Sequence, residues 1–338
     1  MFFGGADLTT AQGATRVLLA GATGYIGRAV LAALAERGYA VVVVVRETPD
    51  RSLDALRAGL PPSCELRVAD LTDAESSGAA LAGLRVHATI SCLASRSGVS
   101  DDAWRVDHGA NRNLLAAAKR AGATQFVLLS AICVQKPRLA FQHAKLAFES
   151  ELMASGLDYT IVRPTAFFKS LAGQVARVQA GKPFLVFGDG NLTACKPIGE
   201  GDLARFIVDR LADPAARNCI LPVGGPGPAL TPREQGALLC RLAGRPTRFR
   251  RVPTGIFTAA SLLLAPLARV FPRFAAKAEL ARIGRYYATE SMLLWNEDTA
   301  CYDDAATPEF GCETLEDFYR RVLAEGMKGQ TLGEQGLF

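Results

Sequence analysis

Six short runs of apolar, largely branched residues recur through the first half of the chain: RVLLA (16–20), AVVVVVR (40–46), CELRVAD (64–70), HATISCL (87–93), TQFVLLS (124–130) and DYTIVRP (158–164). A strand that is apolar along its whole length, not only at alternate positions, suits a sheet buried on both faces. Between the runs lie helix-spaced patterns such as YIGRAVLAALAERG and NRNLLAAAKRAG, closed by Gly38 and Gly122. Glycine just past the last turn is a common helix stop. Alternation sustained over this length predicts an α/β fold, a doubly wound and mostly parallel sheet of the Rossmann type over residues 15–165.

After about residue 165 the rhythm breaks. FLVFGDGNLTACKPIG reads as a hairpin around Asp189 and Gly190, GDLARFIVDRLAD as an amphipathic helix, and NCILPV as a returning strand. Thr231, Pro232 and Glu234 fall where a helix start with a capping box wants them. Residues 166–330 are therefore expected to form a smaller, mixed and largely helical substrate-binding part, interleaved with the last elements of the sheet. Residues 1–14 read as a loose tail. They lack the basic start and continuous apolar segment of a secretory signal, so the expected location is cytoplasmic.

Composition narrows the function classes. The net charge of +5 comes from 38 basic residues dispersed against 33 acidic ones, which argues against a nucleic-acid partner. Eight cysteines show no C-x-x-C pair and read as reduced, mostly buried thiols. Three histidines, at 87, 108 and 143, are few for a protein metal centre, and none is expected. The longest uncharged run, 252–268, contains Pro253 and Pro266 and falls short of the roughly 20 apolar residues of a spanning helix.

GATGYIG, residues 21–27, joins the first strand to the first helix. Gly21 permits the tight turn, Gly24 lets backbone approach a pyrophosphate, and Gly27 lets helix and strand pack closely. Thr23 lies in the loop, and the amides of Tyr25 and Ile26 point from a helix start toward the phosphates. A glycine-rich turn without a ligand is the bland alternative. Arg46, with Arg51 shortly after it, stands where an acid would hold the ribose 2′-hydroxyl of NAD; a guanidinium there suits the 2′-phosphate of NADPH. Glu47 is one position late. Asp70, with Leu71 after it, ends the third strand and either meets the adenine edge or caps the next helix.

Ser130 and, fifteen residues later, Lys145 resemble in spacing the short-chain dehydrogenase superfamily. The resemblance implies a serine near the substrate and a lysine on the nicotinamide ribose, with Pro164 beside the cofactor. A surface lysine is the bland reading of Lys145. The superfamily's tyrosine, four residues before the lysine, is Phe141 here. Losing that acid argues against alcohol–ketone chemistry, because a developing alkoxide needs a proton donor within reach.

QKPRLAFQHAKLAFE, DYTIVRPTAFFKSLAGQ, FGDGNLTACKPIGEGDLARFI and ARIGRYYATESMLL resemble, in order and spacing, the NADPH-dependent divinyl chlorophyllide a 8-vinyl reductase family over roughly residues 15–326. The resemblance implies reduction of the 8-vinyl group of divinyl chlorophyllide or protochlorophyllide, a magnesium tetrapyrrole, to ethyl in chlorophyll or bacteriochlorophyll biosynthesis. Charge left by hydride arriving on a conjugated vinyl group spreads into the macrocycle, so no alkoxide forms. Lys145, or a water it orders, would supply the proton. Phe141, Phe167 and Phe168 would face the macrocycle, and Lys169 or Lys196 its propionate, with plain core packing the alternative for the phenylalanines. His143 reads as a magnesium ligand or a surface residue. Two other functions stay open: a tyrosine-less NADPH-dependent alkene reductase of the isoflavone-reductase-like branch, and a non-catalytic NADP-binding regulator or assembly subunit.

RLAGRPTRFRR (241–251) places five arginines before the uncharged run, and Arg269, Arg273, Lys277, Arg282 and Arg285 follow it. Two readings fit: a helix lying peripherally on an anionic membrane surface, or an apolar cover over the substrate pocket. Nothing in the sequence sets the oligomeric state.

Overall fold

The computed structural model describes residues 15–48, 52–268 and 272–327. Arg51, Arg269 and the tail 1–14 lie outside them. Strands form where the apolar runs predict: β1 (Arg16–Ala20), β2 (Ala40–Val45), β3 (Cys64–Val68), β4 (Ala88–Ser91), β5 (Gln125–Leu129) and β6 (Asp158–Pro164). Next come β7 (Phe184–Phe187), β8 (Cys219–Val223) and β9 (Phe249–Val252). The main sheet runs β3-β2-β1-β4-β5-β6-β8, and every neighbouring pair is parallel.

Both faces of this sheet are covered, which explains the unbroken apolar runs. Val17, Leu19, Val41 and Val43 pack on one side with Val30 and Leu34 of helix Tyr25–Glu36 and Ile207 of helix Glu200–Asp209. Leu18, Val42 and Val44 pack on the other with Leu114 of helix Asn111–Arg120 and Phe148 of helix Ala140–Met153. Successive residues on one strand thus feed two cores.

Beyond the sheet, β7 pairs in parallel with β9, so the hairpin expected around Asp189 does not form. Gly188 and Gly190, at φ +60° and +88°, turn the chain away. The downstream half finds other partners: Cys195 N–H donates to the Leu230 carbonyl at 3.2 Å, and Ile198 N–H to that of Ala166 at 2.9 Å. The capping box of helix Pro232–Leu242 forms as read, with Thr231 Oγ1 accepting from the Glu234 amide. Helices Gly255–Ala268 and Pro272–Thr289 pack against each other, and β10 (Leu294–Asn296) pairs antiparallel with β11 (Cys301–Asp303). All eight cysteines are free thiols, but only Cys133, Cys195 and Cys240 are buried, fewer than expected.

One buried ion pair ties β6 to the helix beside it. Glu149, on helix Ala140–Met153 and 1% exposed at its side chain, accepts from both Arg163 and Ser130. Removing one partner of such a pair strands a buried charge and costs about 3–5 kcal/mol. Arg163→Ala is therefore expected to destabilise the fold by that order in denaturant unfolding; a change inside the noise of the titration would refute the structural role.

Candidate active site

β1 ends at Ala20 and the chain reverses at Gly21, whose φ is +81°. A Cβ there would lie 2.6 Å from the Cys92 carbonyl oxygen just past β4, so only glycine fits where β1 and β4 part. Gly27 is tighter: its Cβ would lie 2.0 Å from the Gly21 carbonyl oxygen. Helix Tyr25–Glu36 then starts on Gly24 with no side-chain cap and no acid in its first turn. Its first amides, including those of Tyr25 and Ile26, have no intrahelical acceptor and suit an anion. Thr23 is half-buried in the loop. These features fit a dinucleotide pyrophosphate.

At the neighbouring strand ends, Arg46 is exposed. Asp70 Oδ1 accepts from Thr72 N–H at 2.9 Å and Thr72 Oγ1–H at 2.7 Å. Burial raises the Asp70 pKa, but these bonds and the charges of Arg46 and Arg105 outweigh it and hold the carboxyl below its ordinary value. Asp70 does not cap the next helix; Asp73 does, through the Glu75 and Ser76 amides. Leu71 is buried, its carbonyl accepting from Asn113 at 2.9 Å.

A cavity of about 350 Å³ opens beside the loop region, floored by segments that leave β4, β5 and β6. Its walls carry more apolar than polar side chains, with Phe141, Phe167, Phe187 and Leu192 prominent. The cavity also holds Lys145, whose ammonium lies 2.8 Å from Asp107 Oδ1, the two side chains being 12% and 1% exposed. Asp107 sits in a π-helical turn, Trp104–Ala110, and its other oxygen accepts from the Ser95 amide at 3.3 Å. A wider turn of this kind re-aims side chains and is frequent at functional sites.

The remaining predicted residues divide. Ser130, Phe141, Pro164 and Phe167 line the cavity with Lys145, although the Ser130 hydroxyl already donates to Glu149. Phe168 is fully buried against Phe318, ring centroids 5.4 Å apart, and belongs to the core. Lys196 is also withdrawn: its ammonium meets Glu309 at 2.7 Å and Asp304 at 3.1 Å, away from the cavity wall. Lys169, next to Phe167 in sequence but likewise not part of the cavity wall, lies over the Tyr25 ring at 5.2 Å; desolvation and Arg28 lower its pKa despite Glu200. His143 is exposed and not part of the cavity wall. Among the described residues none of helix Gly255–Ala268 lines the cavity; Ile283, Tyr287 and Ala288 of helix Pro272–Thr289 do. Sequence reasoning missed Asp107 and Tyr287. Asp107 belongs to no motif, while Tyr287 falls inside the segment ARIGRYYATESMLL.

The parallel sheet, the glycine turn and the lysine-bearing cavity define a nucleotide-dependent oxidoreductase fold of the short-chain dehydrogenase type. Accordingly, the family profile described as NAD(P)H-binding matches residues 21–214. The chain is 52% identical to divinyl chlorophyllide a 8-vinyl-reductase, chloroplastic, of Oryza sativa subsp. indica, covering 96% of this chain and 82% of that one. It is 48% identical to the Arabidopsis thaliana protein of the same name, covering 94% and 79%. The chain belongs to the divinyl chlorophyllide a 8-vinyl-reductase family. Among solved structures, an NADPH-dependent quinone oxidoreductase of Escherichia coli complexed with NADPH shares the fold, with a TM-score of 0.67, 19% identity, and 90% of this chain and 99% of that chain covered.

Proposed function

We propose that the protein reduces the 8-vinyl group of divinyl chlorophyllide or divinyl protochlorophyllide to ethyl, with NADPH as reductant. The observation that carries this reading is a largely apolar cavity beside a dinucleotide loop, holding one ion-paired lysine and no phenol at the superfamily position. About half the residues are shared with vinyl reductases over nearly the whole chain. NADPH supplies the hydride when bound. Gly24 and the first helix amides receive its pyrophosphate, and Arg46 its 2′-phosphate. Lys145 holds the ribose, fixed by Asp107. Phe141 and Phe167 offer aromatic faces to a flat macrocycle. At about 350 Å³ the cavity sits near the lower end of ligand sites, roughly 300–1,000 Å³, so it takes the vinyl-bearing edge. With Lys196 occupied, Lys169 is the candidate for the propionate.

Incubating the purified protein with NADPH and divinyl chlorophyllide is expected to shift the Soret band slightly to the blue as the vinyl group leaves the conjugation. A regulator, or a reductase of smaller alkenes, would leave the band in place. Lys145→Ala is expected to cut turnover about a hundredfold, the scale of one positioned polar group; full turnover with normal NADPH binding would end its assignment. Arg46→Ala should weaken NADPH binding by roughly 10–100-fold, the worth of a charge-assisted contact. NADH binding is the control: were it to weaken equally, Arg46 would not be reading the 2′-phosphate.

The protein also contacts anionic membrane surfaces peripherally in this proposal. Helix Gly255–Ala268 exposes Ile256 and Leu263, 55% and 74% accessible, next to exposed Arg250 and Arg251 of β9. Among the described residues no helix is long and apolar enough to cross a membrane. Apolar side chains beside arginines suit the boundary between headgroups and acyl chains. Sedimentation with anionic liposomes at low salt should follow, and Leu263→Asp should reduce it. Protein left in the supernatant under those conditions would dismiss the contact.

A further inference from the structure

We propose that Tyr287, on helix Pro272–Thr289, is the catalytic acid that protonates the vinyl group, standing in for the phenol missing at Phe141. The inference rests on the vinyl-reductase reading and extends it. Among the described residues Tyr287 is the one phenol in the cavity wall, and it shares that wall with Lys145, Asp107, Phe141 and Cys133. Its helix packs over the helix that lost the tyrosine: Phe141, Ile283 and Tyr286 belong to one buried cluster. Tyr286 secures the helix, its hydroxyl donating to the Cys133 and Lys136 carbonyls at 2.9 and 3.2 Å. That anchor points the adjacent side chain into the cavity.

Tyr287 keeps 36% of its surface accessible and shares the cavity wall with the Cys133 thiol. Burial, then Cys133, Tyr286 and Asp107, raise the phenol well above its ordinary pKa, so it stays protonated throughout the physiological range. A thiol is a weak acceptor, so the phenol proton is not committed to a strong partner and can turn toward a bound vinyl carbon.

The other candidates are already engaged. Lys145 is paired with Asp107 at 2.8 Å; deprotonating it would leave a buried carboxylate uncompensated. The Ser130 hydroxyl donates to Glu149 and that of Thr165 to the Lys196 carbonyl. The balance is then complete. Hydride forms one C–H bond on the vinyl group, and the displaced π pair spreads into the macrocycle. That pair forms the second C–H bond as the Tyr287 O–H bond breaks. NADPH is oxidised and the vinyl group reduced; water reprotonates the phenolate after product leaves.

Tyr287→Phe tests this with least disturbance, since only one oxygen is lost. The expected result is a fall in kcat of about a hundredfold, within the range for a positioned acid, with NADPH and pigment dissociation constants and melting temperature unchanged. Small buffer acids should restore part of the rate, and the solvent deuterium isotope effect on kcat should change with the donor. A purely structural tyrosine would give neither. Undiminished kcat, or a loss that follows weakened pigment binding without buffer rescue, would overturn the donor while wild type remains active. A wild-type enzyme idle on divinyl pigment would overturn the vinyl-reductase reading and the donor together.

Discussion

The sheet is parallel throughout, and that constraint organises the rest of the molecule. Parallel strands deliver their carboxyl ends to one edge, so the turns after β1, β4, β5 and β6 all arrive at the same place. The chain divides its connections where β1 and β4 part, leaving a crevice that no crossover fills. Gly21 and Gly27 exist for that geometry: each has a carbonyl oxygen where a Cβ would sit, at 2.6 and 2.0 Å. The helix start they admit carries no acid in its first turn, so its electrostatics favour an anionic ligand. Fold and cofactor site are one consequence of strand direction.

Around the sheet's carboxyl edge, buried charges are arranged in closed pairs. Glu149 is neutralised by Arg163, and Asp107 by Lys145. Unpaired, either carboxylate would be costly to bury; paired, each fixes a helix against the sheet or a side chain in the cavity. Lys145 is thereby committed to its carboxylate. A cation pinned by a carboxylate can orient a ribose and steady negative charge.

The local signals were legible and the distant ones were not. All six early strands were readable because burial on both faces imposes continuous apolar runs, and the Thr231 capping box because its partners lie within four residues. The supposed hairpin around Asp189 failed because the turn glycines were visible while the partners of Cys195, at Leu230 and Met292, were not. Residue type alone could not separate Phe167, in the cavity wall, from Phe168, stacked on Phe318 in the core. Lys196 looked like a substrate cation because its carboxylate partners, Asp304 and Glu309, lie in a distant segment. Helix Gly255–Ala268 looked like the pocket cover because it is apolar, but the neighbouring helix, more charged and less conspicuous, fills that place.

Phe141 therefore goes with a change of position as well as a change of chemistry. A tyrosine on helix Ala140–Met153 would share its helix with Lys145, and the two would be set by one backbone. With the phenol moved to helix Pro272–Thr289, donor and lysine belong to different parts of the chain, joined through the packing of Phe141, Ile283 and Tyr286. The cavity between them can then be sized by the carboxyl-terminal part while the dinucleotide site stays unchanged. A flat, rigid substrate that cannot bend toward the sheet favours such a division, because the acid reaches it from a wall that the sheet does not supply.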